Sequence, residues 1–226
     1  MKKSTSILIL AFILIAAGFI AMLDWRRNNP YLETTVVFTE IDSGVDSATR
    51  QSALERASEL EAQLTEDNLS TADTIALYVA LAAQNQLLGR LVAADSYMEA
   101  AIGLGPSSAA LYVTRSRIRY EMQDYTQALE LVQRAVELRP NAAQTWWWYG
   151  ELDENIRRFG TSDSVYNQAL IETDYDIDIV IAYTGYLVRD DRPEEAIRVW
   201  EGFADRYPES ETIANERIQA LVARYN

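Results

Sequence analysis

Acid–base and metal chemistry draw on side chains that this sequence supplies unevenly. It has no cysteine and no histidine, which removes thiolate nucleophiles, imidazole bases, zinc clusters, disulfides and a lipoprotein-type acylated cysteine. Carboxylates remain. Glu151 and Glu154 would share one face of a helix, as paired acid–base groups must. No nucleophile or electrophile is grouped around them, and a solvated helix face accounts for both. Asp174, Asp176 and Asp178 in "TDYDIDIV" alternate as calcium ligands do, but Ile179 and Gly185 stand where an EF-hand loop needs its glycine and its distal glutamate. Acids at a helix N-terminus explain the run better. These residues predict a protein that is not an enzyme and holds no metal or cofactor.

The other conspicuous side chains are apolar. In "NAAQTWWWYGELDENIRRFG" three tryptophans follow one another, Trp146, Trp147 and Trp148. Neighbours on a helix point about 100° apart, so the three rings cannot enter one core, and at least one faces something else.

The chain has 226 residues, 49% hydrophobic and 24% charged, which suits one globular domain with a short appendage rather than disorder. Its formal charge is −14. Lys2, Lys3, Arg26 and Arg27 lie at the N-terminus, so of 20 bases and 34 acids, 16 and 33 remain from Asn28 onward, a charge of −17. Such a body repels phosphate backbones and anionic headgroups, which argues against a nucleic-acid partner.

After a basic tail, residues 1–6, the run "ILILAFILIAAGFIAML" from Ile7 to Leu23 contains no charge. As a helix it is about 25 Å long, enough to span a bilayer with help from interfacial Thr5, Ser6 and Trp25. A cleaved signal peptide is the rival reading, but the run is long for one and lacks a small-x-small site at its end, so an uncleaved single-pass anchor is favoured. Lys2, Lys3 and the terminal amine, set against Arg26 and Arg27, place the N-terminus inside and the remainder outside the cytoplasm. Residues 24–46 form a tether: "PYLETTVVFTEI" is extended in propensity, "DSGVDS" is a turn leading into a helix, and the apolar side chains are suited to docking.

Self-similarity organises the rest, residues 47–226. Pro106, Pro140, Asp174 and Pro208 fall 34 residues apart. On the same spacing lie Ala94, Ala128, Ser162 and Ala196; Ala101, Ala135 and Ala169, with Phe203 breaking the column; Tyr78, Tyr112, Trp146 and Val180; Ala82, Ser116, Gly150 and Thr184; and Met98, Val132, Tyr166 and Trp200. Small residues let helix backbones approach, large ones fill the space between hairpins, and proline stops the second helix. Each hairpin buries its apolar face only against its neighbour, so the ends need caps. "DSATRQSALERASELEAQLTED" and "SETIANERIQALVARYN", the latter starting at Ser210, provide amphipathic capping helices.

From about Thr74 to Pro208 the pattern resembles the tetratricopeptide repeat, a unit of 34 residues made of two antiparallel helices. "ALYVTRSRIRYEMQDYTQALELVQRAVELRP" is its clearest copy, and Val180 and Phe203 make the fourth the least regular. The resemblance implies an all-α solenoid of about four hairpins with flanking capping helices, preceded by one transmembrane helix. It also implies a groove. The column Val79, Val113, Trp147 and Ile181 is similar to positions that line the concave face in this family, with Arg117, Tyr120, Glu151, Glu154, Val188 and Arg189 beside it. The Lys and Asn set that clamps a C-terminal carboxylate in some members is missing. The implied function is a membrane-tethered adaptor that binds a protein segment in the groove, in layout like envelope proteins of secretion, assembly or maturation. Two other arrangements stay open: the tether or a capping helix fills the groove, or the chain is a structural subunit that self-associates in a larger membrane complex.

Overall fold

The computed structural model describes residues 37–157 and 162–225. The basic tail, the apolar run 7–23 and the tether up to residue 36 lie outside the described residues, among which no helix is long and apolar enough to cross a membrane.

Ten α-helices follow in order among those residues: α1 (Ser47–Gln63), α2 (Thr71–Leu87), α3 (Leu91–Leu104), α4 (Ala109–Glu121), α5 (Tyr125–Leu138), α6 (Ala143–Arg157), α7 (Asp163–Glu172), α8 (Ile177–Arg189), α9 (Pro193–Arg206) and α10 (Glu211–Tyr225). Helices α2 to α9 pair as four antiparallel hairpins, each packed on the next, with α1 laid against α2 and α10 against α9. Local chemistry sets the starts. The Ser70 hydroxyl caps α2 by accepting from Asp73 N, the Asp176 carboxylate caps α8 by accepting from Asp178 N, and Pro193 opens α9.

The repeat is visible in backbone conformation as well as in side chains. Gly89, Gln123 and Asp191, spaced on the 34-residue register, each take a positive φ (78°, 61° and 58°) in the turn that closes a first helix. The small-residue column is sealed inside: Ala94, Ala128, Ser162 and Ala196 are all fully buried, and so are Met98, Val132 and Tyr166. At Gly150 the fit leaves no room for a methyl group, since a Cβ there would lie 2.5 Å from Cε1 of Tyr166. The polar ties repeat too. Tyr112 Oη and Trp146 Nε1 donate to the carbonyls of Pro106 and Pro140 (3.1 and 2.6 Å), while Gln133 and Asn167 donate to the hydroxyls of Tyr149 and Tyr183 on the following hairpins (2.7 and 3.1 Å).

Between the first two hairpins the tie is ionic. Asp95 on α3 is buried and accepts from both Arg115 and Arg119 of α4, each through Nε at 2.8 Å and Nη2 at 3.1 and 2.5 Å; Arg119 also reaches Asp124 at 2.8 Å. Burial alone would raise the Asp95 pKa, but the two guanidinium groups outweigh it and hold the carboxyl below its usual range.

The described part of the tether does not enter the groove. It runs across the hairpin turns, with Phe38 N donating to Met122 O (2.8 Å), Ile41 N to Gly89 O (3.0 Å) and Val92 N to Thr39 O (3.2 Å). Gly89 is required twice over here, by its positive φ and because a Cβ would sit 2.0 Å from the Ile41 carbonyl oxygen.

Candidate functional site: a groove along the first helices

Along α4, α6 and α8, the first helices of successive hairpins, side chains one repeat apart stand beside one another. Val113 and Arg117 line an open concavity of about 450 Å3 together with Ala110, Gln144 and the turn before α6. Trp147 and Ile181 line the next, about 530 Å3, with Gln144, Asp178 and Ala182. Gln144 belongs to both, which makes the two concavities neighbours. Trp147 keeps 37% of its surface exposed and Ile181 46%, and the two stand together at one concavity.

The three consecutive tryptophans separate as helix geometry demands. Trp146 is buried and stacks on Tyr149 at 5.9 Å. Trp147 faces the groove. Trp148 turns toward the preceding hairpin: its Nε1 donates to Ser116 Oγ (3.1 Å), its ring meets Tyr120 edge-on at 5.9 Å, and the Arg117 guanidinium lies 5.2 Å from the ring centroid. The Ser116 hydroxyl in turn donates to Ala128 O at 2.8 Å, so Trp148 is joined to both helices of that hairpin.

The remaining predicted groove residues divide. Glu154 and Arg189 form a two-pronged ion pair between α6 and α8, with Nε and Nη2 each 2.9 Å from a carboxylate oxygen. The Glu154 carboxylate also accepts from the buried Tyr166 hydroxyl at 3.4 Å. Glu151 is half-buried, and its carboxyl is pushed up by burial first and by the Glu154 charge second, with Arg189 pulling the other way. Tyr120, Val188 and Val79 are half-buried packing groups: the first two lie against the large core around α6 to α9, and Val79 lies against the core of the first hairpin. Gln144 and Asp178 were not singled out from sequence as groove residues. Their signal was present, since each lies three residues before a groove residue, Trp147 or Ile181, and so on the same helix face.

The acids of "TDYDIDIV" have separate duties. Asp174 pairs with Arg206, Asp176 caps α8, and Asp178 lies on the groove rim. Among the described residues no group of three or more acids is placed to hold a metal ion.

Among solved structures the chain is similar to the crystal structure of MamA, with a TM-score of 0.53 at 13% identity over 76% of this chain and 98% of that one. It is likewise similar to a tetratricopeptide repeat protein from Parabacteroides merdae, with a TM-score of 0.52 at 12% identity over 79% of each chain. At such identities the likeness is one of fold, and the fold is the tetratricopeptide-repeat solenoid. No protein-family model and no curated protein matches the sequence.

Proposed function

We propose that this chain is a membrane-tethered scaffold that binds a segment of a partner protein along the groove at Trp147. The observation that carries the reading is the pairing of an exposed indole with an exposed Ile181 on consecutive first helices, around a concavity that the described tether and both capping helices leave open. Aromatic surface of this kind, rimmed by charge, is how interaction sites differ from ordinary surface. The apolar run 7–23 supplies the anchor, with the N-terminus inside and the repeats outside the cytoplasm, in a setting of envelope assembly, secretion or maturation.

Site-specific photocrosslinking in intact cells tests the groove. A crosslinker replacing Ile181 should give a discrete adduct that Trp147→Ala abolishes, while one at exposed Glu137 should not. Equal labelling from both positions, or none from residue 181, refutes it.

A second reading, self-association, is favoured by α10. It packs on α9 in the register of a first helix, 34 residues after α8, and leaves Ile213, Val222 and Tyr225 exposed. Mass measurement after detergent extraction separates the two, since a monomer excludes this second reading.

A further inference from the structure

The groove reading leaves open the partner's chemistry, which the charges around Trp147 address. Trp147 and Glu151 lie one turn apart on α6, and Ile181 and Gly185 hold the equivalent positions on α8. Because residue 185 has no side chain, the Arg189 side chain can lie across the wall opposite Glu151. A Cβ placed at that residue would lie 3.3 Å from Nη1 of Arg189. Arg189 lies past this position to grip Glu154 through two hydrogen bonds of 2.9 Å, which commits its guanidinium. The Glu151 carboxylate feels that charge but has no hydrogen-bond or ion-pair partner of its own among the described residues. Two carboxylates thus share one cation. Asp178, exposed on the rim of the same concavity as Trp147, also has no ion-pair partner there. The cation in the Glu151 column on α4, Arg117, lies over the Trp148 ring and lines the neighbouring concavity. Around Trp147 the groove is therefore short of positive charge, and it offers an exposed indole, the ring that cations prefer.

We infer that the segment bound at Trp147 carries lysine or arginine, its cations set near the indole with the Asp178 carboxylate one turn to one side and the Glu151 carboxylate one turn to the other, and its apolar neighbours against Ile181 and Ala182. This inference rests on the groove reading. An extended basic segment fits better than an acidic one, which would meet unpaired carboxylates, and better than an uncharged one, which would bury Glu151 still without a partner.

The test uses purified full-length protein in detergent and three pools of short peptides, random in apolar residues and carrying Arg, Gln or Glu at fixed alternate positions. The Arg pool should bind roughly tenfold more tightly than the Gln pool. Glu151→Gln with Asp178→Asn should abolish that advantage. Glu209→Gln with Glu216→Gln, which changes net charge equally but far from the groove, should preserve it, and Trp147→Ala should weaken every pool. If the Gln or Glu pool binds as tightly, and does so through Trp147, the basic partner is refuted while the groove stands. If the advantage falls equally in the distant double variant, it belongs to the acidic body as a whole and the inference also fails. If no pool binds, or binding ignores Trp147→Ala, inference and groove fail together.

Discussion

Asp95→Asn would remove one charge while leaving two guanidinium groups in the interface between the first and second hairpins. The Asp95 side chain is 8% exposed, and those of Arg115 and Arg119 are 13% and 20% exposed. Four charge-assisted bonds end on this one carboxylate. Breaking a buried pair from one side costs about 3–5 kcal/mol, because the remaining charge stays desolvated without its counterion. For a domain of this size that lowers the thermal midpoint by about 10 °C. The solenoid concentrates the effect: hairpins contact only neighbours, so a weakened α3–α4 boundary should uncouple α1 to α3 from the rest, and amides of α2 and α3 should exchange faster than those of α8. The pH dependence has a definite sign. The folded Asp95 pKa is depressed, so its contribution is complete above the unfolded value, near 3.8, and is lost as pH falls through the folded pKa. Urea titrations at pH 7 should therefore separate wild type from variant by the full amount, and the gap should close below about pH 4 as protonation makes Asp95 resemble Asn. A loss under about 1 kcal/mol at pH 7, or a gap that persists in strong acid, would show that the network does not hold this boundary.

Three further outcomes are expected. In urea denaturation Trp146→Ala should cost about 3–5 kcal/mol and Trp148→Ala about 2 kcal/mol, while Trp147→Ala should cost about 1 kcal/mol or less; equal losses at all three would remove Trp147 from the groove. Gly150→Ala should destabilise by about 1–3 kcal/mol, because the new methyl meets the fully buried Tyr166 ring, and a thermal midpoint equal to wild type would contradict that close approach. The purified protein should retain Ile7 to Leu23, sediment with membranes and lose its repeats to protease added to spheroplasts; N-terminal sequencing that begins near Asp24, or full protection of the repeats, would count against the proposed anchor and its orientation.

What sequence alone determined here is whatever repeats. A column of small residues at a fixed spacing has one steric explanation, close helix crossing, and it placed Ala94, Ala128, Ser162 and Ala196 inside before any coordinates. The same spacing set Val113, Trp147 and Ile181 on one face of successive first helices, because face and register follow from helical period, whereas Val79 of the same column packs against the core. What lies between hairpins was not legible. Asp95 meets Arg115 and Arg119 only once two hairpins are stacked, since 20 and 24 residues separate them and long side chains have many rotamers. Trp148, one residue from the groove, turns back onto Ser116 because the neighbouring hairpin leaves an acceptor and the Tyr120 ring within reach. The described part of the tether, from residue 37, docks on the turns because Gly89 lets its backbone pass at a distance that any Cβ would forbid. Local sterics recur every 34 residues and can be read along the chain; the charge left without a partner at Glu151 depends on where Arg189 points, and that was decided only when α8 packed against α6.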